Sequence, residues 1–386
     1  GRMVIRPYLL DLLSLNMNKL YRLLFFISAI ALVLLIQQPQ IVVATSNLTI
    51  QSIQSIEQEA EELYQQNQYS EAIALLKTAI RQYQQQDDKL GEVIATRNLA
   101  LIYQKLGEWK QAKAALTRAE KVINVINYEP EKSQLLAQVG EVKGQVELSL
   151  GRPQSALETW QQATSLYEQQ GNIPGLIQGK IYQASALQAL GLYSQSIKTI
   201  TATINQLHNK PDSLIKAQAL LSLGEVLNRV GKYQTAQSTL NSGLAIAKKL
   251  DNKVTMADVL MSLGNNARFQ DQLPAALDFY QQAINITQKP NIQLRAKLDQ
   301  LDVLVSLQDN EAGSNLAKKI QQLLTQLPAQ QTTIQGQISL ARQMLNLDTE
   351  PEQIAELLVD GIRQAQKLEI KRTEAEALGV LGHLYE

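Results

Sequence analysis

The sequence predicts an all-α fold, a right-handed α-solenoid of helical hairpins truncated at its C-terminus. Three observations predict it: a turn signature that returns about every forty residues, helical spacing of apolar residues between the turns, and a last segment that matches only the first half of a unit. The signature reads "NQYSEA" from Asn67, "GEWKQA" from Gly107, "GRPQSA" from Gly151, "GLYSQS" from Gly191, "GKYQTA" from Gly231 and "DQLPAA" from Asp271, with first letters 40, 44, 40, 40 and 40 residues apart. Twelve residues before each closing Ala or Ser stands another small residue: Ala60, Ala100, Gly144, Ala184, Gly224 and Gly264. Two helices can approach closely only where small side chains stand at the crossing, so the paired small positions define hairpins. Between turns, Ala72, Leu75, Leu76, Ala79 and Ile80 recur at three- and four-residue spacing, as on one face of a helix.

Taken from the N-terminus, residues 1–16 form a possible upstream extension, because the chain opens with Gly and a start codon would fit Met17. Residues 17–44 carry Lys19 and Arg22, an apolar run from Leu23 to Ile36, and small residues at Val42, Val43 and Ala44, which is the grammar of a signal peptide. An uncleaved membrane anchor over residues 23–43 is the alternative. Either way the expected location is outside the cytoplasm, periplasmic or extracellular. Residues 45–52 read as a linker, and Ser55 with Gln58 reads as a capping box opening the first helix, so that six hairpins fill residues 53–290. Residues 291–370 keep helix, turn, helix twice but lose the aromatic turn residue. Residues 371–386 place Leu381, Gly382 and Tyr385 where Leu99, Ala100 and Tyr103 stand in the second unit, the first helix of a further repeat.

The combination of small residue, aromatic three later, Gly-x-Tyr/Trp at the turn and a closing Ala resembles the tetratricopeptide repeat (TPR) family. Its signature falls on Ala100, Tyr103, Gly107, Trp109, Ala112, Gly151, Ala156, Gly191, Tyr193, Gly231, Tyr233, Ala236 and Ala276. Family units usually have about 34 residues, and the longer spacing here resembles that of kinesin light chain units. The four turn glycines are expected at positive φ, with Asn67 able to replace them, because other residues lose about 1–2 kcal/mol there. An array of this kind also resembles the N-terminal region of bacterial CHAT-domain proteins, which implies a caspase-like protease domain further along such a chain.

Composition and motifs narrow the function. Thirty-six basic residues balance thirty-six acidic ones, giving no field to attract nucleic acid. There is no cysteine, so no thiolate metal site or cysteine nucleophile exists in these residues. The two histidines, His208 and His383, lie far apart along a solenoid, and no metal or cofactor is expected. "GLIQGK" at residues 175–180 has the wrong spacing for a phosphate loop and reads as the start of a helix. No catalytic constellation is found, and the expected activity is binding.

TPR resemblance implies a concave surface built by the first helix of each hairpin and used for peptides or partner proteins. Register places on it Arg97, Gln104 and Lys105; Glu141, Gln145 and Ser149; Gln178, Ser185 and Gln188; Glu225, Asn228 and Arg229; and Asp258, Asn265 and Arg268. The expected function is an exported interaction scaffold, and the alternative is the sensor arm of a CHAT-type protease.

Overall fold

The computed structural model describes residues 42–347 and 349–385, with side chains from residue 53 onward. Among them are seventeen helices and no strand. They run as hairpins: α1 (Val42–Gln65) with α2 (Tyr69–Gln85), α3 (Lys89–Leu106) with α4 (Trp109–Asn124), α5 (Glu129–Ser149) with α6 (Pro153–Gln169), and α7 (Ile173–Ala189) with α8 (Tyr193–Leu207). Then come α9 (Leu214–Arg229) with α10 (Tyr233–Lys249), α11 (Lys253–Phe269) with α12 (Leu273–Ile286), α13 (Pro290–Ser306) with α14 (Asn310–Thr325), and α15 (Gln331–Met344) with α16 (Pro351–Lys367). The last helix, α17, covers Lys371–Leu384. Each helix packs on the next in sequence, and first helices of neighbouring hairpins also touch, as α3 does α5 and α9 does α11. The first helices therefore form an inner layer and the second helices an outer one.

The turns are made as the residue types require. Gly107, Gly151, Gly191 and Gly231 stand at φ of 77°, 72°, 75° and 75°, and Asn67 and Asp271 take the same region at 63° and 58°. In each case the next amide donates back five residues, as Glu108 N does to Tyr103 O at 2.8 Å, so the helix end is satisfied before the chain reverses. Several turns between hairpins use a two-residue device. Asp87 and Asp251 take positive φ to end one helix, and Asp88 and Asn252 then accept the amides of Gly91 and Thr255, both at 2.9 Å, to cap the next.

The hairpin interior is a set of small-against-large contacts. Ala112, Ala156, Ala236 and Ala276 are fully buried, as is Ser196, whose hydroxyl donates to Ala184 O at 3.0 Å across the crossing. On the first helices, a Cβ added at Gly144, Gly224 or Gly264 would overlap Trp160, Leu240 or Tyr280 respectively. Each of those residues follows its glycine by sixteen positions and is buried to within 1% exposure. The Trp160 indole donates to Glu141 O at 3.1 Å, so the largest side chain of the core is held by hydrogen bonding as well as by the gap.

Two expectations at the N-terminal end need correction or fall outside these residues. Ser55 does not cap a helix, because α1 begins at Val42 and runs through the segment read as a linker. From residue 42 to 65 there is no Gly or Pro to stop helix propagation, and a capping residue alone does not end one. The apolar run from Leu23 to Ile36 lies outside the described residues, among which no helix is long and apolar enough to cross a membrane.

Since Ala112 is fully buried and Gln111 is exposed, Ala112→Leu should destabilise the fold by ~1–3 kcal/mol through overpacking, while Gln111→Leu should stay within ~0.5 kcal/mol. Urea midpoints of the two variants check the register, and equal midpoints would refute it.

Candidate functional site, the inner layer

The crossing uses one face of each first helix and the preceding second helix covers another, which leaves an inward stripe. Its residues fall at fixed distances before each turn. Thirteen residues before Gly151, Gly191, Gly231 and Asp271 stand Gln138, Gln178, Gln218 and Asp258, and thirteen before Gln308, a further positive-φ turn residue, stands Arg295. Of these, sequence reading had placed Gln178 and Asp258 on the surface but not Gln138, Gln218 or Arg295. The spacing carries the first two, whereas Arg295 becomes visible only once Gln308 is recognised in the role of glycine.

At the N-terminal end the stripe contains a buried polar cluster. Arg97 donates to Gln138 Oε1 at 2.6 Å and to Asn98 Oδ1 at 2.9 Å, and burial pulls its guanidinium pKa down, opposed by the nearby Glu141, Tyr167 and Glu57. Glu57 is 8% exposed and accepts from the Tyr83 hydroxyl at 2.8 Å; burial pushes its carboxyl up to about 7, opposed by that hydrogen bond and by Arg97. Glu141 is likewise raised to about 7 by burial, with Arg97 and the Tyr167 hydroxyl pulling the other way. Neither Glu57 nor Tyr167 was assigned a role from sequence: Glu57 holds in the first hairpin the position of Arg97 and Glu141, ten residues before the turn, but the surface was read only from the second hairpin on, and Tyr167 stands on an outer helix.

Further along, Gln145 donates to the Tyr182 hydroxyl at 3.0 Å, Ser185 turns back to Ile181 O, and Asn265 accepts from the Tyr280 hydroxyl at 2.8 Å. Glu225 reaches solvent, yet protein crowds it within the curve of the solenoid and that desolvation raises its pKa; Ser262 donates to it at 3.3 Å. Asp299 is raised to about 6 by burial, opposed by Arg295 and Arg268. Arg268 pairs with Asp302 and lies over the Phe269 ring. Asn228 is the exception among the residues placed on this surface. It is buried, and its amide donates to Ser262 O at 3.1 Å while its carbonyl accepts from Asn266, so it staples α9 to α11. Gln104, Gln178 and Gln188 are half-buried and Lys105 and Arg229 are exposed, and no hydrogen bond or ion pair ties their side chains to the described residues.

The curve closes. Gly107 at the α3–α4 turn is buried, because Gln331 and Ile370 from the far end of the chain cover it; a Cβ there would lie 3.3 Å from Gln331 Cβ. Trp109 packs against both the N-terminal core and the cluster formed by residues 294–380. Lys289 donates to Gln65 O at 3.3 Å. At this seam a cavity of about 400 Å³ opens between Lys105 on one side and α13 and α15 on the other.

A repeating hairpin with small residues at the crossing, glycine-type turns and a polar inner layer defines an α-solenoid of the TPR kind. The tetratricopeptide repeat family model matches residues 55–123 and 216–289, so the chain is similar to that family over those stretches. No protein of curated function matches it. Among solved structures, a Rap protein complexed with competence and sporulation factor is similar over 87% of this chain and 98% of its own, at 13% identity and a TM-score of 0.55. The apo form of the quorum sensor NprR from B. thuringiensis is similar over 87% and 99%, at 12% identity and a TM-score of 0.51. A STAND protein with a tetratricopeptide repeat sensor, PH0952 from Pyrococcus horikoshii, is similar over 85% of this chain and 50% of that one, at 13% identity and a TM-score of 0.51. At such identities the likeness establishes the fold.

The raised Glu57 carboxyl makes stability pH-dependent. Its native pKa of about 7 exceeds the ordinary 4.5, so its contribution is fully present below about 4.5 and is lost as pH rises through about 7. Glu57→Gln, which keeps an acceptor for Tyr83 without the charge, should stabilise the fold relative to wild type at pH 8 by ~1–3 kcal/mol and change it little at pH 4. Urea unfolding of both proteins at the two pH values checks this.

Proposed function

We propose that the chain is an exported scaffold that binds an extended peptide, or an extended segment of a partner protein, along its inner layer. The observation that carries this reading is a set of amides and cations on first helices that no hydrogen bond or ion pair of the described residues uses: Gln104, Gln178 and Gln188 with Lys105 and Arg229. A side-chain amide offers both a donor and an acceptor, which is what a peptide backbone in extended conformation presents in return. Repetition of the position along the solenoid matches the repetition of the ligand's backbone. The Rap and NprR likenesses are in keeping with this, one being a complex with competence and sporulation factor and the other a quorum sensor.

A second reading makes the solenoid the sensor arm of a longer protein, of the CHAT-type protease kind that the repeat array resembles. Support comes from the STAND protein, in which a tetratricopeptide repeat sensor is one part of a chain twice the matched length. The coding sequence beyond Glu386 separates the two readings, because a paired His and Cys domain would be required there.

For the first reading, a peptide selected from a random library on the wild-type chain should bind a Gln104→Ala, Gln178→Ala, Gln188→Ala variant about tenfold or more weakly, with an unchanged melting temperature. Isothermal titration checks it, and an unchanged affinity would remove the inner layer as the binding surface.

A further inference from the structure

The cavity at the seam is built from residues that belong to opposite ends of the chain. Lys105 comes from the last turn of α3, Arg295 from the second turn of α13, and the hydroxyls of Thr332 and Ser339 from α15. Ile292, Leu294 and Leu298 line it too, so cationic, polar and aliphatic side chains share one cavity. Its volume of about 400 Å³ falls within the range of small-molecule sites.

Lys105, Lys289 and Arg295 lie close enough to influence one another, and the carboxylates set against them gather on Arg295: Asp258 at 3.4 Å, with Glu225 and Asp299 also within its influence. Lys105 has no hydrogen bond or ion pair among the described residues. Crowding by protein and by the other two cations pulls its pKa below the usual lysine value. An ammonium held near other cations beside aliphatic side chains is stabilised by an anion that enters with it, and most by one that carries its own apolar body.

We propose that the seam cavity binds a small organic carboxylate with an aliphatic body, its carboxylate held by Lys105 and Arg295 and its aliphatic part against Leu298 and Ile292. Such a ligand touches α3 on one side and α13 and α15 on the other, so it also ties the first hairpins to the last. The site shares Lys105 with the proposed peptide surface but none of its amides, and it does not rest on that reading. Hydroxyl and amide groups lining the cavity, from Thr332, Ser339 and Gln335, supply neutral donors to the second carboxylate oxygen.

Isothermal titration of the full chain with N-acetyl-leucyl-leucine and with its C-terminal amide tests the proposal. The acid should bind about tenfold or more tightly than the amide, and Lys105→Gln or Arg295→Gln should abolish that preference. Lys105→Arg should restore part of it, and circular dichroism melting of the unliganded variants should match wild type. The Gln104, Gln178, Gln188 triple alanine variant should bind the acid as wild type does, which separates failure of this site from failure of the inner-layer reading. Equal binding of acid and amide, no heat from either, or a preference that survives in Lys105→Gln would overturn the proposal.

Discussion

Close approach of two helices at one small residue is the constraint on which the rest of this solenoid depends. Gly144, Gly224 and Gly264 each face a large side chain sixteen positions later, Trp160, Leu240 and Tyr280, and Ala60, Ala100 and Ala184 stand at the same spacing from buried Leu76, Leu116 and Ile200. The two aromatic partners, Trp160 and Tyr280, both meet glycine, which is what a fixed gap between backbones demands. Because the same gap recurs, every hairpin has nearly the same shape, and successive hairpins stack at nearly the same angle. Curvature is the sum of those angles, and the inner layer exists because the sum has one sign.

The chemistry of the inner layer follows from that geometry. A first helix spends one face on its own hairpin partner and another on the preceding outer helix, so a polar stripe remains for the inside of the curve. Side chains there are neither free in bulk water nor packed in a core. Glu57 and Glu141 show the consequence, since burial raises both to about 7 even with Arg97 between them. Burying carboxylates in this way works against stability; Tyr83, Tyr167 and Gln138 offset part of the cost with hydrogen bonds, while Glu57 Oε1 and Asn98 Nδ2 find no partner among the described residues. The amides further along bear no such cost, since they are uncharged and partly solvated.

Much of this was legible in the sequence because each feature repeats within one unit. Positive φ at Gly107 and Asn67 and full burial of Ala112 and Ala156 follow from a forty-residue register. Ser55 misled because a capping pair identifies where a helix can start, not where one must, and nothing upstream of it breaks the helix. Asn228 misled because it shares a register position with Gln104 and Gln188, yet Ser262 and Asn266 on the next inner helix capture it. A neighbour's side chain decides whether such a residue faces the groove, and register within one hairpin does not contain that neighbour.

The seam was not legible at all, for a different physical reason. Lys105 and Arg295 are far apart in sequence, and no pattern within a unit specifies that they meet. Their meeting depends on small inter-hairpin angles accumulated over five hairpins, each set by packing details such as a Trp in one crossing and an Ile in another. The same accumulation works in reverse. A ligand lying along the inner layer that changes each angle slightly shifts the ends by the total, and contacts as close as that of Gly107 with Gln331 must then slide or part. Groove and seam are therefore two readouts of one variable, the curvature of the array, and whatever fixes the seam also fixes the width of the groove.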